Sequence, residues 1–341
     1  MPQTFARFLR ALGTAVITSA VVMSVTPAAP AAAAPPRSTA SRPSKTTPAQ
    51  ACGTWVLEQV TSATSLDNAA ADIRRALAQP GVTGLSLRVP WTLIDRDLTP
   101  LTEARALARA AGKRFSVRFL AGRWTPKRVF DAGAYSFVTR GGQRVPKPFS
   151  DSGRAGNPVF EREFDAVVAK LVAWARKNSV SLVHLPWYGY LWAEIYHGED
   201  LQATSGYSYA AWLAAHKKLV QLAYARAGNG VAIEFALSGH WGGRNAGSTD
   251  VSNAIVGVAG TWSPYMFVQG NGLGRFNSKA TSKAIYHAKQ MYDGGRYDWS
   301  TIYRTLYAND DRYVEIYTSS FRLSGASELV AQAKRFDDLR C

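Results

Sequence analysis

Residues 181–195 read Ser-Leu-Val-His-Leu-Pro-Trp-Tyr-Gly-Tyr-Leu-Trp-Ala-Glu-Ile, and this stretch decides the fold. It begins as an apolar run typical of a buried strand, turns at Gly189, and carries four aromatic residues before it reaches the carboxylate Glu194. Helical patterns flank it at 159–178 and 208–227. The stretch is therefore predicted to be the strand and following loop of a βα unit.

The same alternation of strand and helix patterns continues from residue 54 to the end of the chain. Strands are predicted at 54–59, 84–89, 115–120, 182–187, 231–237, 265–269, 286–291 and 313–317. Helices are predicted at 67–79, 100–111, 159–178, 208–227, 248–259, 278–284, 299–307 and 325–339. Eight strands that are each followed by a helix predict an α/β fold, the single-domain (β/α)8 TIM barrel.

The N-terminal region has a different composition. Residues 1–34 have the positive start, apolar middle and small-residue end of a secretory signal peptide, and residues 35–50 form a Pro/Ser/Thr-rich disordered linker. Residues 51–341 are left for the barrel, a catalytic-type domain. No later segment is apolar enough to span a bilayer. We therefore expect a secreted, extracellular protein without a membrane span.

Two cysteines lie at the ends of the predicted barrel, Cys52 and Cys341. In an exported protein such a pair favours a disulfide, which requires Cα atoms within about 7 Å of each other. A closed barrel brings its two ends together in this way. In the loop-entropy model the cross-link contributes on the order of 4–5 kcal/mol to stability.

The formal net charge is +16, and it is +14 without Arg7 and Arg10 of the signal. A charge this positive is typical either of attraction to anionic polymers or simply of solubility and surface adhesion. No helix-turn-helix, RNA-stacking signature or zinc-ligand spacing occurs, so we expect no nucleic-acid partner. The expected partner is a carbohydrate, including an acidic polysaccharide or cell-wall polyanion.

Strand alternation predicts which side chains enter the barrel. Glu315 lies between Val314 and Ile316, and Glu234 lies between Ile233 and Phe235, so both carboxylates are predicted to point inward. The same parity predicts inward side chains for Glu58, Arg88, Arg118, His184, Gln269 and Gln290.

Tryptophans follow four successive predicted strands, namely Trp91, Trp124, Trp187 with Trp192, and Trp241. Active sites of such barrels lie at the mouth formed by the loops after the strands, and indole rings stack on sugar rings. We therefore expect these rings to bind substrate, although each could instead be a core side chain. The long segment 121–158 is predicted to cover one side of the cleft and to contribute Arg123 and Trp124.

Glycoside hydrolysis requires two carboxyl groups that flank the scissile bond. Glu194 is the predicted acid/base because its aromatic neighbours would raise its pKa. The predicted nucleophile or base is Glu315 or Glu234. Alternatively, these two carboxylates form salt bridges with Arg88 or Arg118 inside the barrel. The arginines could equally orient the nucleophile or bind a substrate carboxylate. The predicted hydroxyl-binding residues are His184, Gln269, Asn271 and His240.

Other chemistries fit the sequence less well. No HExxH motif occurs, and the five histidines lack the spacing of metal ligands. Ser238-Gly-His240 lacks the GxSxG elbow, and Gly270-Asn-Gly-Leu-Gly274 lacks the full dinucleotide fingerprint. We therefore predict no cofactor and no metal.

Three motifs resemble those of secreted bacterial glycoside-hydrolase-type (β/α)8 barrels of the clan A kind. They are Gly84-Leu-Ser-Leu-Arg88 before Trp91, Gly112-Lys-Arg-Phe-Ser-Val-Arg118, and Gly189-Tyr-Leu-Trp-Ala-Glu194. The resemblance covers about residues 52–341 and implies an acid/base Glu after strand four, at Glu194. Two positions depart from the clan pattern. Ala193 stands where the clan has Asn, and the strand-seven nucleophile has no match, since Glu315 lies on predicted strand eight and Gln290 on strand seven.

Three functions are consistent with these patterns. The first is a secreted glycosidase that uses Glu194 with Glu315 or Glu234. The second is a barrel that binds carbohydrate or cell wall without cleaving it. The third is a different hydrolase or a lyase that acts on an anionic polymer, with Arg88, Arg118 and Arg123 binding the anion. The sugar, the linkage, the stereochemical outcome and the oligomeric state are not encoded in any motif that we find.

Overall fold

The structure of the chain is a computed structural model. It describes residues 51–180, 182–188, 195–227, 231–236, 266–271, 286–290, 298–308 and 310–341, with the backbone alone for 266–271 and 286–290. These described residues belong to one compact unit.

Eight parallel strands close into a barrel, as the sequence predicts. The strands of the described chain are β1 (Gly53–Gln59), β2 (Val82–Pro90), β3 (Arg114–Leu120), β4 (Ser136–Val138), β5 (Arg144–Pro146), β6 (Leu182–Leu185), β7 (Ala232–Ala236), β8 (Met266–Asn271), β9 (Tyr286–Gln290) and β10 (Tyr313–Tyr317). The barrel order is β1-β10-β9-β8-β7-β6-β3-β2, while β4 and β5 form a separate antiparallel hairpin. All eight predicted barrel strands are thus confirmed, and Glu315 lies on the eighth.

Helices connect the strands on the outside of the barrel. The described ones are α1 (Ala63–Leu77), α2 (Trp91–Arg96), α3 (Thr99–Ala110), α4 (Lys127–Asp131), α5 (Pro158–Lys177), α6 (Glu199–Gln202), α7 (Tyr209–Ala227), α8 (Trp299–Ala308) and α9 (Ala326–Arg340). Six of the predicted helices are confirmed within a few residues at each end. The predicted helices 248–259 and 278–284 lie outside the described residues. Within the described residues, no helix has the length and apolar character needed to cross a membrane.

The main hydrophobic core lies between the outer face of the barrel and the helices. Strand residues at alternate positions face it, such as Val117 and Phe119 of β3, and they pack against apolar helix residues such as Phe164 of α5. Helix α5 begins at Pro158 because Asn157 caps it: the Asn157 side chain accepts a hydrogen bond from the Phe160 amide. The 20-residue helix then presents one apolar face to the barrel.

A smaller apolar cluster lies inside the barrel, towards the N-terminal ends of the strands. It contains Trp55, Tyr313, Leu182 and Ala232, and the rings of Trp55 and Tyr313 meet edge to face at 6.2 Å. Gly84 lies beside Trp55, and a Cβ at this position would lie 2.6 Å from the indole ring. Glycine at position 84 therefore makes room for the large ring that closes this end of the barrel.

The segment after β3, which was predicted to cover the cleft, is largely built from short elements. It contains a 3-10 turn (Gly122–Trp124), helix α4 and the β4–β5 hairpin. The hairpin packs against the loop after β6: Phe137 stacks on Tyr196 at 6.3 Å, and Arg140 pairs with Glu199 at 2.6 Å. The loops after the third and fourth barrel strands thus support each other.

The predicted disulfide is confirmed. Cys52 and Cys341 are bonded, their Cα atoms lie 5.4 Å apart, and 289 positions separate them in sequence. The bond joins the residue before β1 to the end of α9, so it holds together the two chain ends where the barrel closes between β1 and β10.

We expect the double variant Cys52→Ser/Cys341→Ser to be less stable by up to about 5 kcal/mol, because the unfolded chain loses its long-range cross-link. Thermal and denaturant unfolding with and without reductant will measure this loss. Reductant should lower the stability of the wild type to that of the double variant and leave the variant unchanged. Equal stability of the oxidised wild type and the variant would contradict the prediction.

Candidate active site

Four charged or titratable side chains meet inside the barrel, one from each of four strands. They are Arg118 of β3, His184 of β6, Glu234 of β7 and Glu315 of β10, here called the charged quartet. Arg118, His184 and Glu234 occupy the same register level on adjacent strands. Each points inward because its two neighbours along the strand are apolar and face the outer core.

Arg118 joins the two carboxylates. Its Nη2 atom contacts Oε2 of Glu315 and lies 3.5 Å from Oε1 of Glu234. Because both carboxylates contact the same nitrogen, they lie within roughly 6 Å of each other, the sum of two such contacts. The guanidinium occupies the space between the two carboxylates.

His184 lies close to the same two carboxylates. Its Nδ1 atom lies 2.5 Å from Oε1 of Glu234, and its Nε2 atom lies 3.2 Å from Oε1 of Glu315. The exposed fraction is 1% for the His184 side chain and 0% for both glutamates. The quartet is therefore closed off from solvent, and its charges interact in a medium of low dielectric constant.

Burial raises the pKa of Glu234 above its ordinary value, because removal from water disfavours the charged carboxylate. The contacts with His184 and Arg118 act in the opposite direction, and the nearby Glu315 adds to the rise. A carboxyl group with a perturbed pKa in the interior of a barrel is a candidate for a functional group.

Arg88 and Tyr317 lie beside the quartet: Arg88 is in register with Arg118, and Tyr317 is the last residue of β10. Arg88 Nη1 donates a hydrogen bond to the Tyr317 hydroxyl at 2.8 Å, and its guanidinium lies 5.6 Å from the centre of that ring. Tyr317 follows Glu315 by two residues on β10, so the two share a face of that strand. No sequence pattern points to Tyr317 beyond its position at the end of the strand.

Trp124 lies in the turn directly after β3. Its ring is half-buried, and the Arg123 guanidinium lies 4.7 Å from the ring centre. This position follows the C-terminal end of a barrel strand, as expected for a mouth residue. Of the tryptophans predicted to bind substrate and described here, Trp124 is the one that is not fully buried.

The expectation for Trp91 and Trp187 is wrong. Both side chains are fully buried in the outer core. Trp91 packs against Phe119 and Phe160 at about right angles, and its Nε1 donates to Asp95. Trp187 lies 4.7 Å from Phe235, and its Nε1 donates to the Ala236 carbonyl. Buried rings with satisfied N–H groups offer no surface to a sugar.

His184 points inward as predicted, and its expected role in binding a substrate hydroxyl stays a prediction. One inward assignment needs correction. Glu58 was expected to point into the barrel, but it shares a strand face with Val56 and Val60, which belong to the outer core. A register shift between Thr54 and Trp55 lies on the same strand, whose parity the sequence pattern misjudged.

Several predicted site residues lie outside the described side chains. Glu194, Trp192, Trp241 and His240 fall outside the described residues. Gln269 and Asn271 lie on β8, where the backbone register pairs Gln269 with Ala236 and Asn271 with Gln290. Their assignments as binding residues remain predictions.

The residues on either side of 189–194 are held in place by contacts with helices. Before it, the Tyr188 hydroxyl donates to Glu161 at 2.8 Å, and the Tyr188 ring stacks on Phe160 at 4.8 Å. After it, Trp212 Nε1 donates to the carbonyl of Tyr196 at 3.0 Å. Helices α5 and α7 thus fix both sides of the segment that carries Glu194.

Comparison with known proteins supports the fold. No protein-family model and no curated protein sequence matches the chain. Solved structures are similar in shape. Old Yellow Enzyme from Pichia sp. AKU4542 is 12% identical, with 78% of each chain covered and a TM-score of 0.50. D-allulose 3-epimerase from Methylomonas sp. is 12% identical, with 85% of this chain and 98% of that chain covered and a TM-score of 0.46. At 12% identity the likeness to Old Yellow Enzyme supports the fold alone, an α/β barrel.

We expect Arg118→Met to lower the free energy of unfolding by about 3–5 kcal/mol, because it leaves two buried carboxylates without their cation. Denaturant unfolding will measure the loss. The exposed pair Arg140–Glu199 provides the control, since Arg140→Met should change stability by less than about 0.5 kcal/mol. Addition of Glu234→Gln and Glu315→Gln to Arg118→Met should restore stability. If the triple variant were no more stable than Arg118→Met, the loss would not come from the buried charges.

Truncation of a tryptophan to alanine should destabilise the protein more at the buried Trp91 than at the partly buried Trp124. Trp91→Ala should lower the free energy of unfolding by about 3–5 kcal/mol because it opens a cavity in the core. Trp124→Ala should cost less than about 2 kcal/mol, since the ring is half-exposed and its main partner is a cation–π contact. Chemical denaturation of both variants measures the difference. Similar losses in both would contradict the assignment of Trp124 to the mouth.

Proposed function

We propose that the protein is a secreted glycoside hydrolase that cleaves a poly- or oligosaccharide at the mouth of its barrel. The observation that carries this proposal is the charged quartet: two carboxylates, one arginine and one histidine without solvent exposure in the interior of an α/β barrel. Such a network is costly to bury, and barrels of this kind build their active sites at the C-terminal ends of the strands.

Within this proposal Glu315 is the better nucleophile or base. Its Oε2 contacts the Arg118 guanidinium directly, whereas Glu234 Oε1 lies 3.5 Å from the same nitrogen. A nearby guanidinium favours the ionised form of a carboxyl group, which a nucleophile or base requires. Glu234 has a raised pKa and holds His184, so we assign it a supporting role.

The second carboxyl group of the reaction must come from elsewhere. Glu234 and Glu315 cannot flank a glycosidic bond together, because Arg118 and His184 fill the space between them. This supports the assignment of the proton donor to Glu194, the carboxylate predicted after the fourth barrel strand. Glu194 would protonate the leaving oxygen, while Glu315 would attack the anomeric carbon or activate a water molecule.

The groups at the mouth suggest how a sugar would be held. Trp124 is only partly buried, and an indole ring is of the kind that stacks on a pyranose ring. Arg88 and Tyr317 could donate hydrogen bonds to hydroxyl groups or to a substrate carboxylate. A net charge of +16 for the full chain favours an anionic glycan such as a cell-wall polymer.

A non-catalytic carbohydrate- or cell-wall-binding barrel is the second candidate. The observation that favours it is the complete burial of both glutamates, which are engaged by Arg118 and His184 in the manner of a structural ion-pair network. In that case the mouth would bind glycan through Trp124 and Arg88, and the quartet would serve the fold alone.

Incubation of the purified protein with a panel of neutral and acidic glycans will separate the two candidates. The glycosidase should release new reducing ends, and Glu194→Gln and Glu315→Gln should each reduce the rate at least about 100-fold while the protein remains folded by circular dichroism. Glu199→Gln, an exposed carboxylate with a surface partner, is the matched control and should retain activity. Glycan binding without product release would favour the binding protein, and full activity of Glu194→Gln would remove Glu194 from the mechanism.

A further inference from the structure

The turns that lead into four neighbouring barrel strands carry basic residues and no acidic ones. The strands are β2, β3, β6 and β7, which are consecutive and parallel in the barrel, so these turns lie at one end of it, opposite the mouth. The last turn of each preceding helix and the described residues after it cover 74–81, 107–113, 174–180 and 224–227. These four segments, here called the basic arc, contain seven lysines and arginines and no aspartate or glutamate.

Hydrogen bonds from basic side chains to main-chain carbonyls join each part of this end of the barrel to the next. Lys113 Nζ donates to the Val82 carbonyl at 2.5 Å, and Arg105 Nε donates to the Asn178 carbonyl at 2.5 Å. Arg176 Nη2 donates to the carbonyl of the last residue of α7. Because packed helices lie about 8–10 Å apart, the basic arc extends over roughly 30 Å from α1 to α7, the sum of three such spacings.

Part of the charge in the basic arc serves the fold. Cations in the last turn stabilise the C-terminus of a helix, and Arg75 and Arg226 each pair with an aspartate. Arg74, Arg109 and Lys177 differ from these two. All three are exposed, and no carboxylate of the described chain forms an ion pair with them. One cation from each of three neighbouring helices is therefore available to a partner.

The surroundings of the basic arc set its limits. Near the mouth, Lys127, Arg128 and Arg140 follow β3, and each pairs with a carboxylate at 2.6–2.7 Å. On the other side of α1, the end of α9 brings Asp337 and Asp338 to the same end of the barrel as the arc. The basic arc is thus a stretch of surface where nearby carboxylates do not offset the positive charge.

The composition of the basic arc favours a linear polyanion as its partner. The exposed large hydrophobic side chains of the described chain, Val138, Leu323 and Leu339, lie outside it, so it lacks the apolar groups that insert into a membrane. Its aromatic residues, Trp174 and Tyr224, are buried and offer no ring on which a nucleic-acid base could stack. A small anion would reach only one or two of the charges, whereas an extended chain with a carboxylate on each repeat would reach them all.

We propose that the basic arc binds an acidic polysaccharide at the end of the barrel opposite the mouth. Carboxylates along the polymer pair with Arg74, Arg109 and Lys177, and the planar guanidinium of an arginine matches a carboxylate in geometry. The signal peptide predicted at 1–34 would bring the chain to the cell exterior, where such polymers are available. The mouth stays free when the arc is occupied, so this inference does not rest on the proposed function.

Binding of the purified full-length protein to polygalacturonate, which has one carboxylate per sugar, tests the proposal. The variant Arg74→Gln/Arg109→Gln/Lys177→Gln should raise Kd at least about tenfold at low ionic strength, because three surface cations are lost. Its affinity should also fall less steeply with added salt than that of the wild type, since fewer counterions are released on binding. Calorimetric titration at low and at physiological ionic strength measures both effects. An unchanged Kd would overturn the proposal.

A second triple variant, Arg96→Gln/Lys127→Gln/Arg162→Gln, is the matched control. It removes the same charge from exposed positions in the helices that follow β2 and β3, and it should change Kd less than about twofold. Equal losses in the two triple variants would mean that only the net charge of the chain matters, which would overturn the basic arc as a site.

A third variant separates charge from fold. Arg74→Lys/Arg109→Lys/Lys177→Arg keeps every charge of the basic arc, so it should bind polygalacturonate within about threefold of the wild type. Loss of binding in this variant would show that charge alone is not what the arc supplies and would contradict the proposal. Duplex DNA is the competing polyanion. Tighter binding of the wild type to duplex DNA than to polygalacturonate, with loss in the glutamine variant of the arc, would overturn an acidic polysaccharide as the partner.

Discussion

The contact of one guanidinium with two carboxylates inside the barrel is the constraint on which the interior depends. Arg118 brings Glu234 and Glu315 together, although their strands are separated by β8 and β9 in the barrel order. The desolvation of these charges is offset only while all partners are present. Arg118, His184, Glu234 and Glu315 are therefore energetically one unit, and the loss of one member changes the cost of burying the others.

The barrel provides this unit with its burial. On the N-terminal side, the apolar cluster of Trp55, Tyr313, Leu182 and Ala232 closes the interior. On the outside, the main core packs helices against the strands, and it includes Trp91 and Trp187. The disulfide between Cys52 and Cys341 joins the chain ends beside the seam of the barrel. Water is thereby excluded from the quartet, which strengthens both the attraction among its charges and the penalty for an unpaired one.

Inside the barrel, two glutamates that look alike in the sequence have different partners. Glu315 and Glu234 have similar local surroundings, each between apolar residues on a strand, but their partners differ. Glu315 contacts the arginine, while Glu234 lies against the histidine and has a raised pKa. The proposed division of labour, in which Glu315 takes part in the chemistry and Glu234 supports it, follows from this difference in partners.

The sequence was sufficient for the architecture and for the residues that enter the barrel. Alternation along β3, β6, β7 and β10 correctly predicted that Arg118, His184, Glu234 and Glu315 face inward, because side-chain direction in a strand is a local property. It failed at Glu58, where a register shift occurs on the same strand. The prediction that Trp91 and Trp187 bind substrate also failed, because the sequence shows only that a tryptophan follows a strand. Whether that ring turns towards the mouth or towards α5 and α7 depends on the packing of helices far away in the chain.

What the sequence by itself determined is therefore the set of eight strands, the disulfide and the polar lining of the barrel, since each follows from local periodicity or from the chemistry of two cysteines. What only the tertiary structure decided is the partnership within that lining. Arg118 and Glu315 are 197 positions apart in sequence, and no local pattern states which two inward side chains meet across a closed sheet. Their contact is a consequence of barrel closure, because closure alone fixes the distance between strands that are not neighbours.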